Sequence, residues 1–320
     1  MKKLKKIKTA KLYSLLRKNK RINSTILIAV VLFFIFIISL NHSSIPEVVK
    51  GVNIDTKKQP FNYELVLSEI IAKSYYVYDV KENKVIFSKN EREKLPLASV
   101  TKIMAGLVIK SNMLATTIID IDEESIRQEG DSGLLVGEKW KLKDLLDFTL
   151  VTSSNDGMHA LAKALDRYKE IDGKNTISLM NEKTKEIGLK DTMFLNETGL
   201  DINPAISGAY SSAYDMGKLL SYIILNDPEM IYATAKENSV FISESNIRHP
   251  AKNTNISLNE IPTLIGSKTG FTDLAGGNLA IITDAGISHP IAIVVLGSTQ
   301  EGRFEDVESL AKLTLQKLSE

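Results

Sequence analysis

The feature that most limits the fold is where strand-like and helix-like patterns fall along the chain. Two short runs rich in β-branched and aromatic residues stand close together, "SYYVYDV" (Ser74–Val80) and "KVIFS" (Lys84–Ser88), joined by the polar turn "KEN". Two more stand near the C-terminus, "NLAIIT" (Asn278–Thr283) and "IAIVVLG" (Ile291–Gly297), around a turn that holds Gly286 and Pro290. Between the pairs the chain reads mostly as helix, over Leu142–Leu150, Asp156–Leu165, Ile177–Ile187 and Ala213–Ile224. Strands must satisfy their backbone groups on neighbours. The distant runs are therefore expected to meet in one sheet with a helical insertion between them, an α+β arrangement. A last amphipathic helix is expected from Val307, Leu310, Ala311, Leu315 and Leu318.

The first residues follow a different rule. The formal net charge of the 320-residue chain is only +1, yet residues 1–23 hold ten Lys or Arg and no acid, which leaves thirty basic against thirty-nine acidic residues in the rest. The basic tail abuts "ILIAVVLFFIFIISL" (Ile26–Leu40), which has one serine and no charge. Counted from Ile22, the run is about 28 Å long as a helix, close to the ~30 Å hydrocarbon core of a bilayer. A basic flank, an apolar span and an acidic body imply one transmembrane helix with the N-terminus inside and the body outside. A cleaved secretory signal fits less well, because the run is long and "SLNHSSIPE" offers no small-x-small cleavage site. A nucleic-acid-binding tail is not expected beside such a span. Residues 43–65 are polar, contain two prolines and read as a linker.

There is no cysteine, which excludes disulfides, thiol catalysis and cysteine-ligated zinc. The four histidines, His42, His159, His249 and His289, are scattered and form no H-E-x-x-H, so no metal and no cofactor is expected.

Three short elements can carry chemistry. In "PLASVTKIM", Ser99 and Lys102 stand where a helix begins, with Val100, Ile103, Met104, Leu107 and Val108 on one apolar stripe. Residues at i and i+3 are neighbours on a helix. An uncharged lysine there can take the serine proton, and a helix N-terminus, burial or a second lysine would each favour that uncharged form. Alone the pair is weak evidence, since Ser309 and Lys312 repeat it on what reads as a solvated face. In "TLVTSSNDGMHALA", Ser153-Ser154-Asn155 lies between two helical stretches. It suits a helix cap, and equally a tight loop presenting a hydroxyl and an amide on one side. In "GSKTGFTDLAGG", Lys268-Thr269-Gly270 precedes a glycine-rich turn and a strand. A lysine and a threonine on an edge strand can hold a carboxylate, and a glycine there lets a substrate backbone come close.

Taken together and in this order, the elements are specific. The chain resembles the serine D-alanyl-D-alanine carboxypeptidases, the low-molecular-mass penicillin-binding proteins, from about Tyr75 to Leu318. "GLLVGEKWKLKDLLDFTLVTSSNDGMHALA", "FLNETGLD", "YSSAYDMGKLL", "SKTGFTDLAG" and the late "VVLG…RF" carry the likeness besides the three elements. It departs in having Ser-Ser-Asn where Ser-Gly-Asn is usual and Gly157 where alanine is usual. It also stops at Glu320, where many relatives add a C-terminal β-rich domain and an anchoring helix. The resemblance implies an antiparallel sheet flanked by helices with a helical subdomain. The implied organisation is a cytoplasmic tail (1–23), a transmembrane signal-anchor (24–42), a linker (43–65) and a catalytic domain (66–320) outside the membrane.

The implied substrate is a peptidoglycan stem peptide ending in D-Ala-D-Ala, and β-lactams would be covalent inhibitors. By the same resemblance Ser99 is the nucleophile, Lys102 its base, Ser153 a proton relay and Asn155 a substrate-orienting amide. Lys268 with Thr269 would hold the terminal carboxylate, assisted by Arg303, and Gly270 would belong to the same binding strand. Backbone N–H groups of Ser99 and Phe271 would hold the oxyanion. The rival readings are a β-lactamase, a D,D-endopeptidase and a non-catalytic wall-binding relative. Against the first, the Leu195-Asn196 pair has Thr192 where a deacylating glutamate would stand in E-x-x-L-N. "GDSG" (Gly130–Gly133) lacks the upstream histidine a chymotrypsin-like protease needs, His42 being at the membrane exit.

Overall fold

The computed structural model describes residues 61–320. The expected tail (1–23) and transmembrane anchor (24–42), and most of the expected linker, lie outside the described residues. Among the described residues no helix is long and apolar enough to cross a membrane. The linker was expected to run to residue 65, but a short helix already begins at Tyr63, with Asn62 accepting from the Leu65 N–H at its start.

In chain order the helices are α1 (Tyr63–Leu67), α2 (Lys102–Asn112), α3 (Leu142–Thr152), α4 (Asn155–Lys169), α5 (Thr176–Ile187), α6 (Ala213–Asn226) and α7 (Gly302–Leu318). The strands are β1 (Ser74–Asp79), β2 (Lys84–Lys89), β3 (Leu95–Pro96), β4 (Ile118–Asp120), β5 (Lys139–Lys141), β6 (Met193–Phe194), β7 (Ala209–Ser211), β8 (Asn238–Ile242), β9 (Arg248–Lys252), β10 (Leu264–Thr272), β11 (Gly276–Asp284) and β12 (Pro290–Ser298).

The N- and C-terminal strand runs do meet. β1 pairs antiparallel with β12, Tyr75 opposite Val295 and Val77 opposite Ile293, in a five-stranded sheet of order β10-β11-β12-β1-β2. Both faces of the sheet are covered, which explains why "IAIVVL" is a continuous apolar run rather than an alternation. Successive side chains point to opposite faces. Tyr75, Val77, Leu279, Ile281, Ile293 and Val295 pack with Phe304, Val307, Leu310, Ala311 and Leu313 of α7. Tyr76, Ala280, Ile282, Val294 and Leu296 pack instead toward α2–α6. On α7 the apolar face differs from the expected stripe: Phe304 and Leu313 are buried, whereas Leu318, the last residue of the helix, is 40% exposed.

A buried carboxylate ties the two ends of this unit together. Asp306 on α7 accepts the backbone N–H of Ile71 (3.1 Å) and Ala72 (3.0 Å), just before β1, and the Ser298 hydroxyl (2.6 Å) at the end of β12. Asp306→Ala removes the two oxygens that accept these three bonds and leaves their donors unmet. It is expected to lower stability by about 3 kcal/mol, read as a fall in the urea midpoint at unchanged slope; a change under ~0.5 kcal/mol would show that water replaces the carboxylate at no cost.

Candidate active site

Ser99 is placed by an abrupt turn of the backbone. Pro96 ends β3, and Ala98, fully buried, adopts φ 48°, the left-handed region that a side chain makes unfavourable. Residues Ala98–Thr101 then form a 3-10 turn, and the α-helix starts only at Lys102. The expected α-helical onset at Ser99 is thus corrected by one turn, with a chemical consequence. A 3-10 turn has three residues per turn and brings i and i+3 into register, so Lys102 stands directly over Ser99, its Nζ 2.8 Å from Ser99 Oγ.

Lys102 is fully buried. Its Nζ also meets Asn155 Oδ1 at 2.6 Å and the Thr198 carbonyl at 2.9 Å. Burial lowers its pKa to about 7, against the opposing pull of the Glu197 carboxylate. An uncharged amine has two N–H bonds and one lone pair. Two of its three neighbours here are acceptors only, and the third is a hydroxyl. The lone pair of a neutral Lys102 therefore faces Ser99.

The Ser-Ser-Asn element serves as both cap and site, divided by residue. Ser153 closes α3 in the left-handed conformation (φ 63°). Ser154 is the N-cap of α4, its Oγ accepting from the Gly157 N–H at 2.8 Å. Ser153 and Asn155 are left to face the cleft. Asn155 Nδ2 donates to the Glu129 carbonyl (2.6 Å), which fixes the amide with its oxygen on Lys102. The "GDSG" segment holds this corner. Ser154 Oγ donates to Ser132 Oγ (2.8 Å), and Ser132 donates to Asp156 (3.0 Å).

β10 is the edge strand expected for Lys-Thr-Gly. Lys268, buried, donates to Ser153 Oγ (2.7 Å) and to the Thr269 carbonyl (2.9 Å). Burial holds its pKa well below the ordinary lysine value, and the charges of Lys102 and Arg303 push the same way. Burial is the largest cause at both lysines, and the repulsion between them is mutual. A Cβ on Gly270 would sit 3.0 Å from the Ser99 nitrogen and 2.8 Å from the Leu97 carbonyl, so only glycine lets β10 lie against the nucleophile's backbone. Phe271, next on the strand, is 43% exposed at the rim. Arg303 is buried at the start of α7, and its Nη1 donates to the Gly270 carbonyl (2.7 Å). Ser153 and Asn155 line a cavity of about 280 Å³ with Glu129 and Ser132, and Glu129 also borders a cleft of about 460 Å³ lined by Leu200, Asp201, Phe271 and Thr272.

The structure thus brings together all the sequence-proposed residues except that Arg303 acts from behind the strand carbonyl. Other participants were not legible. Thr198 supplies a backbone carbonyl, which no side-chain pattern announces. Thr254, after the β8–β9 hairpin, places its Oγ1 2.6 Å from Thr269 Oγ1. Glu197 and His159 form a 2.7 Å ion pair close to Lys102, across 38 residues of sequence. Of the two residue departures, Ser154 bonds Ser132, and at Gly157 a Cβ would stand 2.2 Å from Thr149 Oγ1.

Comparison with known proteins identifies the family and the fold. Residues 56–300 match the D-alanyl-D-alanine carboxypeptidase family model. The D-alanyl-D-alanine carboxypeptidase DacF of Bacillus subtilis is 30% identical over 75% of this chain and 61% of its own length. A D-alanyl-D-alanine endopeptidase of Pseudomonas aeruginosa is 30% identical over 71% of this chain and 72% of its own. The chain therefore spans about 60% of the length of the carboxypeptidase relative. Among solved structures, a penicillin-binding protein of Listeria monocytogenes in its ampicillin-bound form superposes with a TM-score of 0.62 at 26% identity, covering 76% of this chain and 97% of that one. Penicillin binding protein 5 of Haemophilus influenzae gives a TM-score of 0.65 at 26% identity, over 76% and 70%. The fold is thus penicillin-binding-protein-like α+β.

The turn under Ser99 depends on one glycine. Gly199 has φ +80°, and a Cβ there would stand 1.9 Å from the Ala98 carbonyl oxygen. Gly199→Ala is expected to destabilise by roughly 2–4 kcal/mol in a urea titration, from left-handed strain and overlap together. Gly199→Asn tolerates the backbone but not the overlap, so it should remain destabilised. Wild-type stability for the asparagine variant would show that conformation alone demands glycine.

Proposed function

Because the chain belongs to the D-alanyl-D-alanine carboxypeptidase family, we propose that it removes the terminal D-alanine from peptidoglycan stem peptides through an acyl-enzyme on Ser99, and that β-lactams acylate the same oxygen. The observation that carries this reading is Lys102: buried, with a pKa of about 7, its Nζ 2.8 Å from Ser99 Oγ and its two other neighbours acceptors only.

In this mechanism the stem peptide lies along β10 with its terminal carboxylate at Lys268 and Thr269. The ligand brings the negative charge that the buried group of Lys102, Lys268 and Arg303 lacks, and so favours the charged form of Lys268. Lys102 takes the Ser99 proton as Oγ bonds to the penultimate carbonyl carbon. The resulting oxyanion is held by the backbone N–H groups of Ser99 and Phe271. Its collapse breaks the C–N bond, and the proton that Lys102 took from Ser99 passes by way of Ser153, held in place by Lys268, to the departing amine, which leaves Lys102 uncharged again. Asn155 orients the substrate amide and keeps Lys102 aimed. Water then attacks the ester carbonyl and gives up a proton to Lys102; the ester C–O bond breaks, and Lys102 returns that proton to Ser99 Oγ.

A second reading, D,D-endopeptidase, uses the same steps on a cross-linked peptide. It is supported by the larger share of the Pseudomonas endopeptidase that the chain covers. Release of free D-alanine from a linear stem peptide, against cleavage of a cross-linked dimer, separates the two.

Fluorescent penicillin should label the wild-type chain and the Ser309→Ala variant but not Ser99→Ala; a label on another serine would remove Ser99 from the mechanism. Lys102→Ala and Lys102→Arg should acylate at least ~100-fold more slowly, the scale of a lost general base. Since the uncharged lysine is the active form, the wild-type rate should rise with pH through about 7 and flatten above it. A rate that falls over that range would contradict a lysine base.

We also propose that residues 24–42 anchor the protein as a single-pass membrane helix with the catalytic domain outside. The support is the basic flank and the uncharged span. Protease added to intact spheroplasts should degrade the domain, and the mature chain should keep its basic tail by mass. A chain beginning near residue 43 would instead show a cleaved signal, and a protected domain would overturn the topology.

A further inference from the structure

Two side chains beside the base take no part in the steps above. His159 lies on α4 one turn after Asn155, and Glu197 directly precedes Thr198. His159 Nδ1 and Glu197 Oε1 are 2.7 Å apart, with side chains 23% and 14% exposed. Asn155 Oδ1 and the Thr198 carbonyl are two of the three atoms that surround Lys102 Nζ. The pair therefore bridges the two elements that hold the base, each within one turn or one residue of its contact.

We propose that His159 and Glu197 are positioning residues for Lys102: their ion pair ties α4 to the Thr198 loop, and the charge on His159 masks the Glu197 carboxylate from the lysine, so the pair sets the pH range over which Lys102 can act as base. This rests on the acyl-transfer reading above.

The charges around His159 support the masking. Its proton affinity is raised above the ordinary histidine value of 6.5, first by the hydrogen bond to Glu197, with burial opposing. Glu124, from the segment between β4 and β5, lies 3.9 Å from Nε2 and reinforces the charge; Lys163, on the same helix, opposes it. Asp156, also on α4, faces the histidine charge, which lowers its own pKa against a larger effect of burial. Burial would raise the Glu197 carboxyl, but the His159 hydrogen bond and the charges of His159 and Lys102 hold it low. Nε2 of His159 is buried with no hydrogen-bond partner among the described residues, so Nδ1 to Glu197 is the ring's one strong bond.

The sign of the effect follows. A bare carboxylate favours the ammonium form of Lys102, and an ammonium has no lone pair for the Ser99 proton. Protonated His159 offsets that carboxylate and favours the base. Glu197 has a depressed pKa, so the tie is present above the ordinary 4.5 and is lost as pH falls through its folded value. His159 has a raised one, so the tie is complete below 6.5 and fades as pH rises through its folded value. As His159 loses its proton, Lys102 holds its own more tightly. The two groups lose their protons anticooperatively, which spreads the activity over a wider pH span than one ionisation gives.

The test is the rate of acylation by fluorescent penicillin against pH, in the full-length chain in membranes. His159→Gln keeps a neutral donor to Glu197 but loses the charge, and its midpoint should move to higher pH. Glu197→Gln loses the carboxylate, and its midpoint should move to lower pH. Each shift should be roughly 0.5–1.5 pH units, the effect of one charge several ångströms away in a partly screened site. The double variant should match Glu197→Gln, because nothing is left to mask. A purely structural tie would instead lower the rate in both variants with midpoints unmoved, and that result overturns the proposal. The wild-type profile gives a second reading that needs no variant: its rise should be shallower than a one-proton titration, and a one-proton slope counts equally against the proposal. Absence of labelling in the wild-type chain at every pH would overturn the acyl-transfer reading and this proposal with it; labelling with unmoved midpoints overturns this proposal alone.

Discussion

A lysine side chain with no exposure to water sits at the junction of three separate pieces of chain. Its nitrogen touches Ser99 on the 3-10 turn, Asn155 at the start of α4 and the Thr198 carbonyl on the loop after β6. Placing an ammonium in such a position is unfavourable unless it is paired or gives up its proton. Lys102 is met by polar oxygens at hydrogen-bond distance and by one carboxylate further off, Glu197. The result is a group poised between its charged and uncharged forms near neutral pH. Most of the helical insertion can be read as the scaffold for that balance. α3 and α4 turn at Ser153–Ser154 so that Asn155 points inward, and Asn196 accepts the Gly199 N–H (2.7 Å), fixing the turn that carries Thr198.

The sheet serves the same junction from the other side. β10 can approach Ser99 because Gly270 has no side chain, and two interior bonds hold its neighbours in register. Asn278 on β11, fully buried, donates to the Pro96 carbonyl (2.9 Å) and accepts the Gly297 N–H (2.8 Å). One amide thereby links the strand beside β10, the end of β12 and the residue that leads into the nucleophile's turn. Arg303 fixes the Gly270 carbonyl from α7. The helix that covers the far face of the sheet is thus coupled to the edge where a substrate would lie.

Much of this was legible in the sequence, for identifiable reasons. Helices α3–α6 followed from their apolar spacing, and the core strands from runs such as "IAIVVL" and their flanking turns. The union of β1 with β12 followed from the need of each strand for a partner. Ser99, Lys102, Ser153, Asn155 and Lys268 were readable because side-chain chemistry sits at fixed spacing in short elements. What was missed is of another kind. The 3-10 turn at Ala98–Thr101 has no propensity signature, since a left-handed alanine is imposed by its surroundings, including the Gly199 contact beneath it. Thr198 acts through its backbone. Thr254, Glu197 and His159 reach the site only through tertiary folding, and no local pattern pairs residues 159 and 197. The α7 stripe slipped toward Phe304 and Leu313, and Leu318, the last residue of the helix, is left exposed.

The distribution of charge in the cleft has a consequence of its own. Lys102 and Lys268 lie buried beside Ser99 and Ser153, with Arg303 behind the Gly270 carbonyl, and burial lowers the pKa of each. Their mutual repulsion is greatest when the cleft is empty. Acidic groups such as Glu129, Asp201 and Asp273 line the outer cleft instead, and Asp201 is engaged by Thr272 at 3.1 Å. The buried cationic groups therefore favour an anion and the acidic groups around Glu129, Asp201 and Asp273 favour a cation, a polarity that would orient a ligand with one anionic end. The same polarity separates the two lysines by role. On the proposed function Lys268, which bonds Ser153 and lies beside Thr269, would gain most from an arriving carboxylate. Lys102, held by acceptors on two sides and a hydroxyl on the third, can remain uncharged while that carboxylate is bound, and one cleft can then hold a cation for binding and a neutral amine for proton transfer a short distance apart.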